Sequence, residues 1–287
     1  MNKVKNYLSF VKFAHSIFAM PFAFLGFFMA LNINEMSFDA VKLLYIVLAM
    51  IFARNAAMGF NRYIDRDIDK ENPRTRNREI PAGKIKPSAA LAFVIVNSAL
   101  FFTVTYFING LCFALSPVAL AVILGYSLTK RFTALCHLVL GLGLALSPIG
   151  AYIAVTGSFN SIIPVLISVS VLLWTAGFDI IYALQDDEFD REKNLRSVPG
   201  VLGRQKALAL SRILHLLSAV LIIIPGFMMD VSFLYHAGAL IFIGLLINQH
   251  RLVKINDLSK VNLAFFTMNG IASVIFGTLA ILSFYFF

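Results

Sequence analysis

Long apolar runs separated by short polar segments make up almost the whole chain. Nine of these runs approach the roughly 20 residues that an α-helix needs to cross a bilayer. They lie at about 12–33, 41–64, 88–108, 110–128, 133–156, 161–185, 205–225, 229–248 and 263–286. Backbone polar groups inside lipid must be satisfied within each segment, which favours helices over open sheets. The predicted fold is therefore an all-α integral membrane protein of nine transmembrane helices.

The composition excludes other classes of protein. The 287 residues are 59% hydrophobic and 14% charged, whereas soluble globular domains average about 45–50% and about 25%. Neither a soluble domain nor a disordered chain fits these values. We expect one membrane domain over residues 1–287 with the lipid bilayer around it. The net charge of +9 suggests no nucleic-acid partner, because it is explained by the loops.

The basic residues are concentrated in alternate loops. Twenty-one of the 24 Lys and Arg fall in the segments that lie on one side if the chain crosses the membrane nine times. By the positive-inside rule, this places the N-terminus in the cytoplasm and the C-terminus outside. The predicted location is the bacterial inner membrane, as a multi-pass protein.

Two polar segments, at about 62–87 and 186–206, resemble each other. Each follows a predicted helix that runs into aspartates spaced four residues apart, and each continues with a Pro and a Gly-basic pair. Four predicted helices separate the two segments, and an even number of crossings gives both the same orientation. The pattern indicates a parallel internal repeat that brings two acidic clusters to the cytoplasmic face.

The acidic residues of each cluster fall on one helix face. The first cluster is Asn61, Asp65 and Asp69, and the second is Asp179, Tyr182, Asp186 and Asp190. Spacings of three, four and seven residues align side chains along a helix. Acids at helix ends are often solvated or paired with Arg. Two matching copies, with Asp179 inside an apolar segment, favour a functional site instead.

The residue types point to a diphosphate held by metal. Converging carboxylates would repel one another by about 3 kcal/mol per pair at about 5 Å, so we expect positive charge between them. A set of oxygen ligands favours Mg²⁺, which proteins usually hold with one or two carboxylates and substrate phosphates. The neighbouring Lys and Arg suit phosphate oxygens.

These motifs resemble a known family. Asn61-x3-Asp65-x3-Asp69 with NPRTRNREIPAG at 72–83, and Asp179-x2-Tyr182-x3-Asp186-x3-Asp190, resemble the two aspartate-rich motifs of the UbiA family of intramembrane prenyltransferases. The resemblance covers most of the chain and extends to His15-Ser16, Pro21-Phe22, Arg54, the stretch Tyr126 to Arg131, and Ser147-Pro148. The second motif is similar to the 4-hydroxybenzoate polyprenyltransferase-like branch. Arg62 is a departure, since many members have Asn-Asp at the start of the first motif.

The resemblance implies a central cavity in which two Mg²⁺ ions hold a polyprenyl diphosphate at the cytoplasmic side, next to an aromatic acid acceptor. It implies that Asn61, Asp65, Asp69, Asp186 and Asp190 bind the diphosphate through Mg²⁺, with the four aspartates as catalytic residues. Lys130 and Tyr126 would contact the diphosphate directly, and Arg131 belongs to the same substrate-binding motif. Arg54 would face the acceptor, and Asp179 and Tyr182 would line the deeper cavity wall.

Several alternatives stay open from the sequence. The acceptor is 4-hydroxybenzoate or a dihydroxynaphthoate, which correspond to ubiquinone or menaquinone biosynthesis. The intramembrane Arg54 needs a partner, either Asp179 or the acceptor carboxylate. His15 contacts the acceptor or packs within its helix, and the other histidines have no common spacing that suggests a metal. The rival function is a multispan transporter that uses Arg54, Asp179 and Arg212 along its path.

Overall fold

The computed structural model describes residues 7, 9–11 and 18–286. Its helices are α1 (Met20–Ile33), α2 (Ala40–Ile64), α3 (Arg66–Glu71), α4 (Pro87–Ile108), α5 (Gly110–Thr129), α6 (Cys136–Thr156), α7 (Ile163–Ala183), α8 (Asp187–Glu192), α9 (Val198–Met228), α10 (Phe233–Leu252) and α11 (Asn269–Leu282). A 3₁₀ turn, Leu184–Asp186, follows α7, and a π-helical turn, Leu263–Met268, precedes α11. The described residues form no β-strand, only an isolated bridge between Lys254 and Asp257.

Eight helices of the described chain are long and apolar enough to cross a membrane. They match eight of the predicted spans, so the all-helical prediction and these positions are confirmed. The first predicted span, 12–33, contains the apolar helix α1, which has 14 residues. His15 and Ser16 of the predicted motif lie outside the described residues, and the ninth span stays a prediction.

Helix α9 begins earlier than predicted. The apolar pattern predicted a helix at 205–225, but α9 starts at Val198, inside the polar segment. Ser197 caps its first turn by accepting a hydrogen bond from the Gly200 amide, and Pro199 suits the first turn of a helix. At Gly203 the backbone leaves the helical region, with φ 76° and ψ 162°, a conformation that glycine tolerates.

Helix α7 lies at the centre of the packing, with α6 and α9 against it, and α1 packs against α6 and α11. Trp174 of α7 is fully buried, and its Nε1 donates a hydrogen bond of 2.9 Å to the Asn269 Oδ1. The rings of Phe22 and Phe178 lie 5.4 and 5.0 Å from the Trp174 ring. The aromatic cluster therefore ties α1, α7 and α11 together and fixes the helix that carries the second acidic cluster.

Glycines allow α6 to approach its neighbours closely. A Cβ at Gly141 would lie 2.3 Å from the Leu172 carbonyl oxygen on α7, and a Cβ at Gly26 would lie 2.1 Å from the Pro148 oxygen. Small residues of this kind let membrane helices pack backbone to backbone. The distance between α6 and α7 is set by this contact, and both helices contribute cavity walls.

We predict that Gly141→Ala destabilises the protein by about 1–3 kcal/mol, because the added methyl forces α6 away from α7. Gly143→Ala is the matched control on the same helix, since its Cβ would meet the Ile123 Cγ2 at an ordinary 3.6 Å. The measurement is the midpoint of thermal unfolding in detergent. Equal midpoints for the two variants would show that the close approach does not limit stability.

Candidate functional site

One large cavity, of about 1340 Å³, runs through the helix bundle. Acidic and basic side chains surround one end, and apolar side chains line the rest as far as Phe159, in the loop that joins α6 to α7 at the opposite end of the bundle. All eleven residues predicted for the site line this cavity: Arg54, Asn61, Asp65, Asp69, Tyr126, Lys130, Arg131, Asp179, Tyr182, Asp186 and Asp190. The structure thus brings both clusters to one place, while the role of each residue stays a prediction.

The first cluster begins where α2 ends, with Asp65 at the C-terminal cap. The Asn61 Nδ2 donates a hydrogen bond of 3.0 Å to one Asp65 oxygen, and the Arg131 Nη2 donates one of 2.9 Å to the other. Burial, and after it the nearby Asp69 carboxylate, raises the pKa of Asp65 above its usual range despite Arg131. The cost of ionising Asp65 indicates that this position favours additional positive charge.

Asp69 lies one helical turn further, in α3, and is buried. The Arg78 Nη1 contacts both of its carboxylate oxygens, at 2.7 and 2.8 Å. The Thr75 hydroxyl donates to the Asp69 backbone oxygen at 3.0 Å, which folds the following loop back onto α3. The loop after the first motif therefore supplies the cation for that motif.

The same loop also reaches the second cluster. Arg74 forms a bidentate ion pair with Asp186, and its Nη1 donates a hydrogen bond of 2.9 Å to the Tyr182 hydroxyl. The Asn72 Nδ2 donates a hydrogen bond of 3.0 Å to Asp186 as well. Burial opposes the charge of Arg74, but the bond to Asp186 outweighs it and raises the pKa of Arg74. Arg74 is thus the physical link between the two motifs.

Asp190, the last acid of the second cluster, is fully buried in α8. The Lys130 Nζ lies 2.7 Å from its Oδ1, and within the described part of the chain neither carboxylate oxygen accepts a hydrogen bond. Buried charges without hydrogen bonds are costly. Lys130 therefore supplies the positive charge beside Asp190, while the carboxylate oxygens still have room for a further ligand.

In this structure each of the four aspartates faces its own basic side chain. The pairs are Asp65 with Arg131, Asp69 with Arg78, Asp186 with Arg74, and Asp190 with Lys130. The predicted positive charge between the acids is present as Arg and Lys. Neither Arg74 nor Arg78 was among the predicted site residues, although both lie in the motif stretch 72–83. The four-residue spacing of Arg74 and Arg78, directly after the first acidic cluster, was the signal in the sequence that could have pointed to both as partners of the aspartates.

Asp179 also has a partner that the sequence did not suggest. We expected Asp179 or a substrate carboxylate to face Arg54, but the structure pairs Asp179 with His137 of α6, at 2.7 Å between the Nδ1 and Oδ2. Both residues line the cavity, as does the buried Arg62 of the first motif. An acid within an apolar helix requires a partner. The sequence could not identify His137 as that partner, because the contact depends on how α6 packs against α7.

The donor set suits Mg²⁺. Four carboxylates and the Asn61 amide oxygen offer hard oxygen ligands, and the Asp190 oxygens lack hydrogen bonds. Within the described part of the chain, no three Asp, Glu, His or Cys side chains form a ready metal cage. A metal at this end would thus combine protein carboxylates with oxygens of another ligand, as is usual for Mg²⁺ bound with phosphates.

The path proposed for a transporter is not formed in this structure. Arg54 and Asp179 line the cavity, but Arg212, on α9, is not among the residues that line it. Most ionisable residues of the cavity come from the segments 62–87 and 186–206 and from the end of α5, with Arg54, His137 and Asp179 on the walls formed by α2, α6 and α7. The arrangement favours a site for an anionic ligand with an apolar tail.

Comparisons with known proteins agree in sequence and in fold. The UbiA prenyltransferase family model matches residues 19–271. The 4-hydroxybenzoate octaprenyltransferase of Aeromonas salmonicida is 29% identical over 238 residues, which are 83% of this chain and 82% of that protein. The enzyme of the same name from Photobacterium profundum is 30% identical over 239 residues, or 83% of each chain.

Two solved structures share the fold. The apo structure of a UbiA homolog from Aeropyrum pernix K1 has a TM-score of 0.85 at 30% identity and covers 93% of this chain and 97% of that one. A UbiA homolog from Archaeoglobus fulgidus, bound to GPP and Mg²⁺, has a TM-score of 0.75 at 18% identity and covers 97% of this chain and 99% of that one. The helix arrangement is therefore common to all three chains.

We predict that Lys130→Met destabilises the ligand-free protein by about 3–5 kcal/mol, because Asp190 is then buried without a cation. The double variant Lys130→Met/Asp190→Asn should recover most of this loss. Lys193→Met is the matched control: it breaks an exposed pair with Glu71 and should cost about 1 kcal/mol or less. Thermal unfolding without divalent ions measures all three. No loss in the first variant would show that Asp190 is not charged.

Proposed function

The chain belongs to the UbiA prenyltransferase family, and from this we propose that it transfers a polyprenyl group from a polyprenyl diphosphate to an aromatic acid. We propose 4-hydroxybenzoate or a dihydroxynaphthoate as acceptor, in ubiquinone or menaquinone biosynthesis. The observation that carries the proposal is the large cavity, which has most of its charged groups at one end and apolar walls along the rest. The names of the curated relatives support an aromatic acceptor.

The charged end would bind the donor diphosphate. Asn61, Asp65, Asp69, Asp186 and Asp190 would hold two Mg²⁺ ions, as supported by the oxygen donors and the Mg²⁺ in the Archaeoglobus fulgidus homolog. When bound, Mg²⁺ supplies a Lewis acid for the departing diphosphate. Lys130, Arg131 and Tyr126 would contact the diphosphate oxygens. The basic side chains would thus turn from the aspartates to the phosphates, while the aspartates turn to the metal.

The deeper part of the cavity would hold the prenyl chain and the acceptor. Apolar walls exclude water, which would otherwise trap the allylic cation left when the C1–O bond of the donor breaks. Arg54 would bind the acceptor carboxylate, and Asp179 and Tyr182 would border the ring. The ring carbon next to the hydroxyl then attacks the prenyl C1 and loses its proton.

We further propose nine membrane spans in the bacterial inner membrane, with the N-terminus and the active site on the cytoplasmic side and the C-terminus outside. Eight long apolar helices support this arrangement, together with α1 as part of the first span. The segments 62–87 and 186–206 carry 13 of the 24 basic residues. Ion pairs between these two segments support their lying at the same membrane face.

The first test is an assay of purified protein with geranyl diphosphate, Mg²⁺ and a panel of hydroxybenzoates and dihydroxynaphthoates. We predict that Asp65→Asn or Asp186→Asn lowers turnover by about a hundredfold or more, since lost stabilisation of a leaving anion typically costs about 2.7–4 kcal/mol. Glu188→Gln is the matched control, because Glu188 is 75% exposed and is not among the cavity-lining residues. Near wild-type turnover in the aspartate variants at saturating Mg²⁺ would rule out their metal role.

A second test separates the two substrates. We predict that Arg54→Gln raises the acceptor KM by about tenfold or more, because a hydrogen bond to a charged group is worth about 1.5–3 kcal/mol. The donor KM should stay nearly constant, and the preference for a hydroxybenzoate over its neutral amide should disappear. Arg54→Lys keeps the positive charge but loses the two parallel N–H donors of the guanidinium, so its acceptor KM should lie between those of the wild type and Arg54→Gln. Equal changes in both KM values would contradict the assignment of Arg54 to the acceptor.

A further inference from the structure

His137 and Asp179 form a buried pair on the cavity wall. The His137 Nδ1 lies 2.7 Å from the Asp179 Oδ2. The imidazole side chain is 4% exposed, whereas the Asp179 side chain is 22% exposed, and both line the cavity. The histidine thus stands behind the carboxylate, and the carboxylate is the member of the pair that a ligand reaches.

A backbone amide fixes the proton on the imidazole. The Val198 N–H donates a hydrogen bond of 3.2 Å to the His137 Nε2, so the Nε2 carries a lone pair. The proton of a neutral imidazole must then be on the Nδ1, which donates it to Asp179. An imidazolium would place an N–H against the Val198 N–H. The two hydrogen bonds therefore hold the imidazole between the Val198 amide and the Asp179 carboxylate, with its Nδ1 toward Asp179.

The second Asp179 oxygen is left for a ligand. Among the described residues, the hydrogen bonds to Asp179 come from His137 at the Oδ2 alone. Val198 begins α9, within the segment 186–206. The imidazole is therefore held between Asp179 of α7 and the first residue of α9. The pair is a rigid proton acceptor rather than a flexible surface acid.

Asp179, Arg54, Tyr126 and Asp65 come from three different helices. Arg54 lies on α2, which Asp65 caps, whereas Tyr126 lies on α5 and Asp179 lies on α7. All four side chains line the same cavity. An aromatic hydroxy acid has its carboxylate and its hydroxyl at different edges of the ring. If Arg54 takes the carboxylate, as proposed above, Asp179 is the charged acceptor available to the hydroxyl.

We propose that Asp179 is the base that accepts the hydroxyl proton of the aromatic acceptor, and that His137 is the positioning residue that holds the Asp179 carboxylate turned toward the cavity. This inference rests on the proposed function. It goes beyond that function by assigning the proton acceptor and by giving a role to a histidine outside both acidic motifs.

The proposed step is balanced in protons and electrons. The C1–O bond of the donor breaks, and its electron pair leaves with the diphosphate. As the ring carbon next to the hydroxyl forms the new C–C bond, the hydroxyl proton passes to the Asp179 carboxylate. The alkylated carbon then loses its proton to the released diphosphate, the ring becomes aromatic again, and Asp179 returns its proton to the oxygen.

The experiment compares Asp179→Asn, His137→Met and His137→Gln with the wild type, with geranyl diphosphate and the acceptor that the wild type prenylates. Loss of a general base typically costs about 100-fold or more in kcat, and loss of an orienting partner about 10–100-fold. We expect these losses for Asp179→Asn and His137→Met. His137→Gln should retain most activity, because its amide can accept from Val198 and donate to Asp179.

A more acidic acceptor separates catalysis from packing. Ring fluorination next to the hydroxyl, as in 3-fluoro-4-hydroxybenzoate for a hydroxybenzoate, reduces the need for a base. The ratio of wild-type to variant kcat should therefore be smaller with the fluorinated acceptor than with the parent acceptor, both for Asp179→Asn and for His137→Met. His215→Gln is the matched control, since His215 is equally buried, is bonded to His250 and is not among the cavity-lining residues. Its kcat ratio should not depend on the acceptor.

The outcomes separate this inference from the function on which it rests. An active wild type with the same kcat ratio for both acceptors would overturn the role of Asp179 and leave the prenyltransferase proposal standing. A His137→Gln variant as slow as His137→Met would overturn the positioning role, since both hydrogen bonds should survive in Gln. A wild type that prenylates no aromatic acid would overturn the proposed function and this inference with it.

Discussion

The site depends on charge balance between four aspartates and four basic side chains at the edge of a low-dielectric bundle. Each acid costs free energy to bury, and each basic residue reduces that cost for one acid. The balance explains why the acidic motifs come with a loop rich in Arg rather than a neutral one. Arg74 has the largest structural role among the four basic residues. It belongs to the first segment but pairs with Asp186 of the second, and so joins the two halves of the bundle.

The helix packing also fixes the positions of the acidic side chains. The close contact of Gly141 with α7 and the aromatic cluster around Trp174 hold α7 in place. Asp179, Tyr182 and Asp186 follow one another along the end of that helix, so a fixed α7 presents all three to the cavity. Their positions come from rigid helices behind them and from ion pairs in front of them.

The sequence predicted the spans well because lipid leaves the backbone few alternatives, and length and hydropathy then suffice. It also predicted the eleven residues at the cavity: helical spacing placed the residues of each acidic cluster on one face, and the resemblance to the family added Arg54, Tyr126, Lys130 and Arg131. It missed the start of α9 at Val198, where polar residues form a helix outside the apolar pattern. It missed the Arg74–Asp186 and His137–Asp179 pairs for another reason. Both join residues more than 40 positions apart, and their pairing is decided by tertiary packing rather than by local periodicity.

The four ion pairs have a consequence for selectivity among lipids. A bilayer presents the apolar cavity with many neutral isoprenoids and acyl chains, any of which the apolar walls alone would accept. A neutral lipid can balance neither the negative charge of the aspartates nor the positive charge of the basic side chains. Separating the ion pairs to admit such a lipid therefore costs free energy that nothing returns. A ligand with several negative charges and accompanying cations can do both. On the proposed function, a diphosphate with its cations therefore binds by separating the ion pairs, whereas a neutral prenyl alcohol leaves them intact. Once the prenyl group has lost its diphosphate, the re-formed pairs also favour release of the uncharged prenyl tail into the surrounding membrane.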